Sequence, residues 1–293
     1  MKYIVGVDLG GSHIKTILTD NTRKIHKEIT LKLHSKSKDE ALHELYESIY
    51  FVLTGIDKSE VKGIGVGVPG INNKDKVTLP NIPEFENVDI LSLLEKEFKM
   101  DIFMNNDGNC AVLAEKTKYK EENLVAITLG TGVSCGIIIN GELYEGRGNA
   151  GEFSHITLFS AGSECSCGNY GCLEEYVSTR GILKIARKLG LDFESVADLT
   201  KFAKTGNKKA QKVLELAGRY LGVALSDLIK ILDPERIVVG GGISKAGNLI
   251  LKSTKDEIKK RTFFKPPKIV LSKMKDNAVA IGAASLLIND KKD

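Results

Sequence analysis

Val5-Gly6-Val7-Asp8-Leu9-Gly10-Gly11-Ser12-His13 aligns without a gap on Val125-Ala126-Ile127-Thr128-Leu129-Gly130-Thr131-Gly132-Val133. In each stretch an apolar run reaches a Leu-Gly pair and a short turn. Apolar residues resume beyond it, from Ile14 to Leu18 in the first case. The pattern reads as strand, glycine turn, strand: a hairpin. Two such units in 293 residues predict two domains of similar topology that face each other. Either turn alone reads as a plain hairpin turn. As a pair they read as two sets of backbone N–H groups offered to something small that comes close.

The rest of the chain supplies helices to cover these strands. Ala41, Leu42, Leu45, Ile49, Val52 and Leu53 fall on one helical face, and a buried strand follows at Ile64-Gly65-Val66-Gly67-Val68. A short helix is predicted around Leu91 to Phe98, then a strand at Ile102-Phe103-Met104 and a helix beginning near Cys110. A long helix is predicted over Ala210 to Leu232 and stopped by Pro234; the strand Arg236 to Val239 then enters Gly240-Gly241-Gly242. The last helix, Ala278 to Ile288, carries small residues (Ala280, Gly282, Ala283, Ala284) suited to close packing. Strands alternating with helices point to α/β architecture.

Composition removes several functional classes. The 42% hydrophobic and 27% charged fractions are those of a globular chain. Lys+Arg 42 against Asp+Glu 38 leaves a net charge of +4, which gives no reason to expect nucleic acid. No apolar run is long enough for a membrane span, and Met1-Lys2-Tyr3-Ile4-Val5 runs into a strand without a signal-peptide core. Five cysteines without a secretion signal argue for a reducing cytoplasm, where clustered cysteines hold metal more often than disulfides.

Asp8-Leu9-Gly10-Gly11-Ser12, with Lys15 beyond it, is a candidate phosphate loop: its N–H groups form an anion-binding concavity and its carboxylate can hold magnesium or its waters. The chain has no G-x-x-x-x-G-K-[ST], so it is not a P-loop protein. Gly240-Gly241-Gly242 lacks the second half of a dinucleotide fingerprint, yet as a strand-to-helix turn it could pass close to a nucleoside. Asp107, in Asn105-Asn106-Asp107-Gly108-Asn109, stands after a strand, where it could accept a proton from a bound hydroxyl. An N-cap role for this Asp or its Asn neighbours reads equally well.

The most specific signal is His155-x₉-Cys165-x-Cys167-x₄-Cys172, a Cys₃His set that matches tetrahedral zinc. Three thiolates leave no open coordination position, so the metal is expected to be structural. Cys110 and Cys135 lie outside the spacing and read as core residues. Glu152 and Glu174 bracket the cluster and could accept hydrogen bonds from polyol hydroxyls; solvated charge is the plainer reading of Glu174, beside Glu175.

These segments together resemble the ROK family of repressors, open reading frames and sugar kinases. Asp8-Leu9-Gly10-Gly11-Ser12, Gly65-Val66-Gly67-Val68-Pro69-Gly70, Asn106-Asp107-Gly108-Asn109 and Leu129-Gly130-Thr131-Gly132 occur in family order. Gly151-Glu152-Phe153-Ser154-His155, Cys165 to Glu174 and Gly240-Gly241-Gly242 follow them, so that nearly the whole chain is covered. The resemblance implies a two-domain actin-like (ribonuclease H-like) ATPase fold with an interdomain cleft. It implies one α/β domain over residues 1–114, a larger one with the zinc loop over 115–277, and a final helix at 278–293 packed back on the first.

By the same resemblance Asp107 takes the proton from a sugar hydroxyl, usually O6, as that oxygen attacks the γ-phosphate of Mg-ATP. Asn106, Glu152, His155 and Glu174 match the family's sugar-contacting residues, with Asn81 as a further candidate. Asp8, Gly10, Gly11, Ser12, Lys15, Gly130, Thr131, Gly132, Gly240, Gly241 and Gly242 are expected around ATP. His155 would turn one ring nitrogen to zinc and the other toward the sugar.

Ser154 and Ser134-Cys135 stand where the family usually has glycine, and Gly108 replaces the usual Ala of glucokinases. Asn106 to Ala111 looks like N-acetylmannosamine kinases, whereas Gly11-Ser12-His13-Ile14 is similar to allose kinases. The expectation is a cytoplasmic, homodimeric hexose kinase acting on glucose, with N-acetylmannosamine, allose or fructose as alternative substrates. A non-catalytic sugar-binding regulator is the alternative from another class. Family repressors carry a DNA-binding module ahead of the first loop; with seven residues before Asp8, none is expected here.

Overall fold

The two repeated stretches become the hairpins at the heart of two five-stranded sheets. The computed structural model describes residues 2–33, 37–73, 76–78, 85 and 88–288. The chain divides into unit 1 (residues 1–120, 143–151 and 276–293) and unit 2 (residues 121–142 and 152–275).

In unit 1, β1 (Tyr3–Leu9) and β2 (His13–Asp20) are antiparallel, with Asp8 level with Lys15. β3 (Ile25–Lys32) extends the hairpin at the edge, while β4 (Val61–Val68) and β7 (Ile102–Asn106) add in parallel on the other side. The order is β3-β2-β1-β4-β7, beside a separate ribbon of β5 (Ile71–Asn73) and β6 (Lys76–Thr78). Alternate residues of β1 face opposite ways, as the period of a strand requires. Val5, Val7 and Leu9 join Leu45 and Ile49 of α1 (Lys38–Leu53) and Phe98 of α2 (Ile90–Phe98) in one core.

The opposite face is closed by a near-bare contact of backbones. A Cβ on Gly6 would lie 2.1 Å from the Ala280 carbonyl oxygen, and one on Gly65 1.9 Å from that of Ala283. Both carbonyls belong to α9 (Ala278–Ser285). On its other flank, a Cβ on Gly282 would lie 1.6 Å from the Cys110 carbonyl oxygen of α3 (Asp107–Lys116). The small residues of the last helix are therefore what lets it lie flat on strands that themselves carry glycine.

Unit 2 repeats the plan. β8 (Leu124–Leu129) and β9 (Val133–Ile139) form the antiparallel hairpin, and β11 (Arg236–Gly240) and β12 (Lys268–Leu271) add in parallel beside β8. With β10 (Glu142–Leu143) the order is β10-β9-β8-β11-β12, the same order of chain segments as in unit 1. The helical layer comprises α4 (Glu174–Val177), α5 (Thr179–Lys188), α6 (Val196–Lys204), α7 (Lys208–Leu232) and α8 (Asn248–Arg261). The Asn207 side chain accepts the Ala210 N–H to start α7, and Asp233 in the left-handed region ends it just before Pro234.

Residues 143–151, expected in the second domain, group with unit 1, where the Asn105 amide donates to Glu145 at 3.0 Å. The third helix starts at Asp107 rather than near Cys110, because Asn106 provides the cap. The last helix ends at Ser285 rather than Ile288.

Candidate active site

In unit 1 the strand register brings the candidate residues to one end of the sheet. Asp8 on β1 is level with Gly67 on β4, and Gly67 with Asn105 on β7. Asp107 follows two residues later as the first residue of α3. This is the carboxyl end of three neighbouring parallel strands, where open α/β sheets bind their ligands. The Asn106 side chain is committed at both ends: its oxygen accepts the Gly108 N–H at 2.8 Å, and its amide donates to the Gly70 carbonyl at 3.0 Å. Asp107 shares the same Gly108 N–H at 2.8 Å. The cap and the candidate base are thus neighbouring residues, and the cap fixes where the base begins.

Carboxylates converge here. Burial first and the Asp107 charge second push the Asp8 carboxyl up to about 7, against the pull of Lys15. Burial, then the charges of Asp107, Asp8 and Glu145, pushes the Cys110 thiol well above its usual range. One buried thiol therefore senses three carboxylates drawn from distant parts of the chain. Asp8 is the carboxylate that would hold Mg²⁺ or its waters. Ser12 Oγ lies 2.9 Å from the His13 ring, and the Gly10 N–H donates to the His13 carbonyl, closing the turn that contains Gly11. Asn81 lies outside the described residues.

In unit 2 the turn at residues 130–132 is closed by Gly130 N–H donating to the Gly132 carbonyl. Glu174 is buried, and its Oε2 accepts the Val133 N–H at 3.0 Å. Glu175 is also buried and paired with Arg180. Neither is a solvated charge, which corrects the plainer sequence reading. Gly241 has a φ of 81° and lies so close to β8 that a Cβ would sit 2.3 Å from the Leu129 carbonyl oxygen. Gly242 beside it and Gly130 have open space where a side chain would be. Of the triple glycine, Gly240 thus ends β11, Gly241 packs against β8, and Gly242 alone has open space at its Cβ position.

The four metal candidates come together, their ligand atoms all within 4.8 Å of one another. Cys167 and Cys172 sulfurs are 3.7 Å apart, and Cys165 Sγ is 3.6 Å from His155 Nδ1. Tetrahedral zinc with Zn–S of ~2.3 Å and Zn–N of ~2.0 Å requires edges of ~3.8 Å and ~3.6 Å. The separations are too long for a disulfide and match those edges, so the residues fit the ion. Burial, with the sulfurs of Cys165 and Cys167 alongside, pushes the Cys172 thiol up to about 12, a penalty that a cation among the sulfurs would remove. His155 presents its other nitrogen, Nε2, at 3.9 Å from Glu152 Oε2. Cys110 and Cys135 are buried.

Two features were not visible in the sequence. Thr179 donates both its N–H and its hydroxyl to the Gly130 carbonyl, at 2.9 and 3.0 Å, and Glu145 meets Asn105. Each pair is some forty or more positions apart, and no local spacing announces it.

The model of the ROK family matches residues 4–290. The xylose repressor of Caldicellulosiruptor bescii is 31% identical, aligned over 98% of this chain and 78% of that protein. The glucokinase of Halalkalibacterium halodurans is 33% identical over 87% of this chain and 84% of that one. The crystal structure of a ROK family glucokinase from Streptomyces griseus, in complex with glucose and AMPPNP, superposes with a TM-score of 0.87. It is 26% identical, and the match covers 97% of this chain and 98% of that one. Its likeness makes the two mixed sheets those of the actin-like ATPase fold. The chain belongs to the ROK family.

Proposed function

We propose that this protein is an ATP-dependent hexose kinase that transfers the γ-phosphate of Mg-ATP to the 6-hydroxyl of a hexose, with glucose as the leading candidate. The observation that carries this reading is the meeting of Asp8 and Asp107 at the carboxyl end of β1, β4 and β7. A protein that only binds a sugar needs hydrogen-bond partners. It has no need of two repelling carboxylates, one of them raised to about 7.

Asp107 would accept the proton of the sugar O6–H as O6 bonds to the γ-phosphorus. The bond between that phosphorus and the β,γ-bridging oxygen breaks, and ADP leaves with the electron pair. Asp8 would hold Mg²⁺, which would supply charge neutralisation at the phosphates. Lys15 and the turn at Gly10, Gly11 and Ser12 would contact phosphate, and so would Gly130, Thr131, Gly132 and Gly242. Glu152, His155 Nε2 and the second oxygen of Glu174 would receive sugar hydroxyls. The Asn106 side chain, held by the helix cap and by Gly70, would support Asp107 more than it contacts sugar. A Zn²⁺ in the Cys₃His set would hold His155 and so stiffen the sugar-binding wall. The reduced cysteine cluster and the ATP requirement fit a cytoplasmic protein. Among the described residues no helix is long and apolar enough to cross a membrane.

A second reading is a sugar-responsive regulator, favoured by the 31% identity to a xylose repressor over 98% of this chain. A coupled ADP-release assay across glucose, N-acetylmannosamine, allose, fructose and xylose separates the two. Turnover on a hexose supports the kinase. Binding of xylose or another sugar without ADP release on any of them refutes the kinase reading and supports the regulator.

A further inference from the structure

The segment that leaves the cysteine cluster runs directly to the second glycine turn and holds it at both ends. Cys172 pairs with Thr157 in a β-bridge, and the Leu173 N–H donates to the Ile156 carbonyl at 2.9 Å, next to His155. Glu174 then accepts the Val133 N–H through Oε2 at 3.0 Å, just beyond the turn. Thr179 closes the other end with two donors on the Gly130 carbonyl. Between these anchors lies Gly132, where a Cβ would come within 2.9 Å of Glu174 Oε2. The segment from Cys172 to Thr179 thus belongs to the cluster through Cys172 and touches residues 130–133 through Glu174 and Thr179.

The arrangement has an electrostatic consequence. A carboxylate this close to an anion-binding turn competes for the N–H groups that a phosphate needs. Glu174 is harmless only while it stays on Val133, and what keeps it there is the fixed path from Cys172 to Thr179. Loss of either anchor would let the carboxylate drift toward the Thr131 and Gly132 N–H groups.

We propose that the segment Cys172–Thr179 links the cysteine cluster to the second glycine turn, so that filling the cluster sets the turn's affinity for nucleotide phosphate, with Glu174 and Thr179 as positioning residues. The identity of the ligand rests on the kinase reading; the mechanical link does not.

The test therefore reads the turn directly. Hydrogen exchange by mass spectrometry is followed across residues 128–134 and across β1 as a control. Titrations with a non-hydrolysable ATP analogue and with glucose run in parallel. The samples are the Zn²⁺-loaded protein, the chelated protein, the chelated protein after Zn²⁺ is restored, and the Thr179→Val and Thr179→Ser variants. Chelation and Thr179→Val are each expected to speed exchange in the turn about fivefold, the worth of one neutral hydrogen bond, while β1 is unchanged. Analogue binding weakens by a similar factor. In Thr179→Val the KM for ATP rises while the KM for sugar stays put, and Thr179→Ser, which keeps the hydroxyl, restores both readouts. Unchanged exchange in the turn, after chelation or in Thr179→Val, overturns the link. Equal acceleration in the turn and in β1 also overturns it, because that is loss of the fold. If the turn responds as expected but no sample binds the analogue, the kinase reading fails and the link stands.

Discussion

Asp107 raises the pKa of Asp8. Burial contributes most, the Asp107 charge adds to it, and Lys15 opposes both, with the result that the Asp8 carboxyl sits at about 7. A carboxyl raised in the folded state holds its proton there more tightly than in the unfolded chain. Between the ordinary carboxyl range and about 7 the native state therefore binds the extra proton, and stability falls as pH climbs through that window. Asp8→Asn removes the effect. It is expected to raise Tm over wild type by roughly 3 °C or more at pH 8 and by much less at pH 4. Scanning calorimetry of both proteins across that range checks it; an identical Tm gap at both pH values would show that Asp8 is not the group responsible.

Asp107→Asn keeps the shape of the side chain and its contact with the Gly108 N–H, because the amide oxygen can accept in place of the carboxylate. The helix cap at Asn106 is untouched. The substitution is therefore expected to lower kcat by about 10²- to 10⁴-fold, the usual worth of a general base, with sugar affinity nearly unchanged. Equilibrium sugar binding and single-turnover kinetics measure the two separately. Near-wild-type turnover would remove Asp107 from the reaction.

The contact between α9 and the unit 1 sheet depends on bare backbone. In Gly65→Ala the new methyl would start 1.9 Å from the Ala283 carbonyl oxygen, an overlap no side-chain rotation relieves. The strand or the helix must move, at a cost of ~2 kcal/mol or more and a Tm drop of roughly 4–8 °C. Gly130→Ala, with open space around its Cβ position, is the comparison and is expected to leave Tm within ~2 °C. Equal losses in the two variants would mean that the close approach at Gly65 is not what limits the fold.

That contact also shows what the sequence could reveal. The gap-free match of residues 5–13 on 125–133 exposed both hairpins, because strand alternation and turn glycine are local signals. The small residues of the last helix announced close packing, but only the topology shows that Gly6 and Gly65 are what it packs against. The grouping of His155, Cys165, Cys167 and Cys172 was legible because one imidazole and three thiols in so short and polar a stretch form a set that core packing rarely produces. The partners of Glu174 and Asn105 were not. Each bond spans about forty residues and joins segments whose proximity is set by sheet order. The same limit hid the grouping of residues 143–151 with unit 1, where Asn105 bonds Glu145 across forty positions.

The cysteines divide by environment, and the division predicts which substitutions release metal. Cys172 is buried with two other sulfurs and an imidazole around it, and burial and those sulfurs hold its thiol near 12 in the absence of a cation. Zn²⁺ would make the thiolate the stable form, so binding releases protons and weakens as the pH falls. Cys110 is just as buried, yet the charges that act on it are those of Asp107, Asp8 and Glu145, and it is not one of the four residues whose ligand atoms lie together. Elemental analysis of protein purified without added zinc is expected to find about one zinc per chain in wild type and in Cys110→Ser, and well under half of that in Cys172→Ser. The sulfur–sulfur separation of 3.7 Å between Cys167 and Cys172 leaves oxidation as the competing fate once the metal is stripped. Chelated wild type kept in air is therefore expected to lose two titratable thiols. Full zinc in Cys172→Ser would mean that the cluster holds its ion without that sulfur, and the tetrahedral assignment would fall.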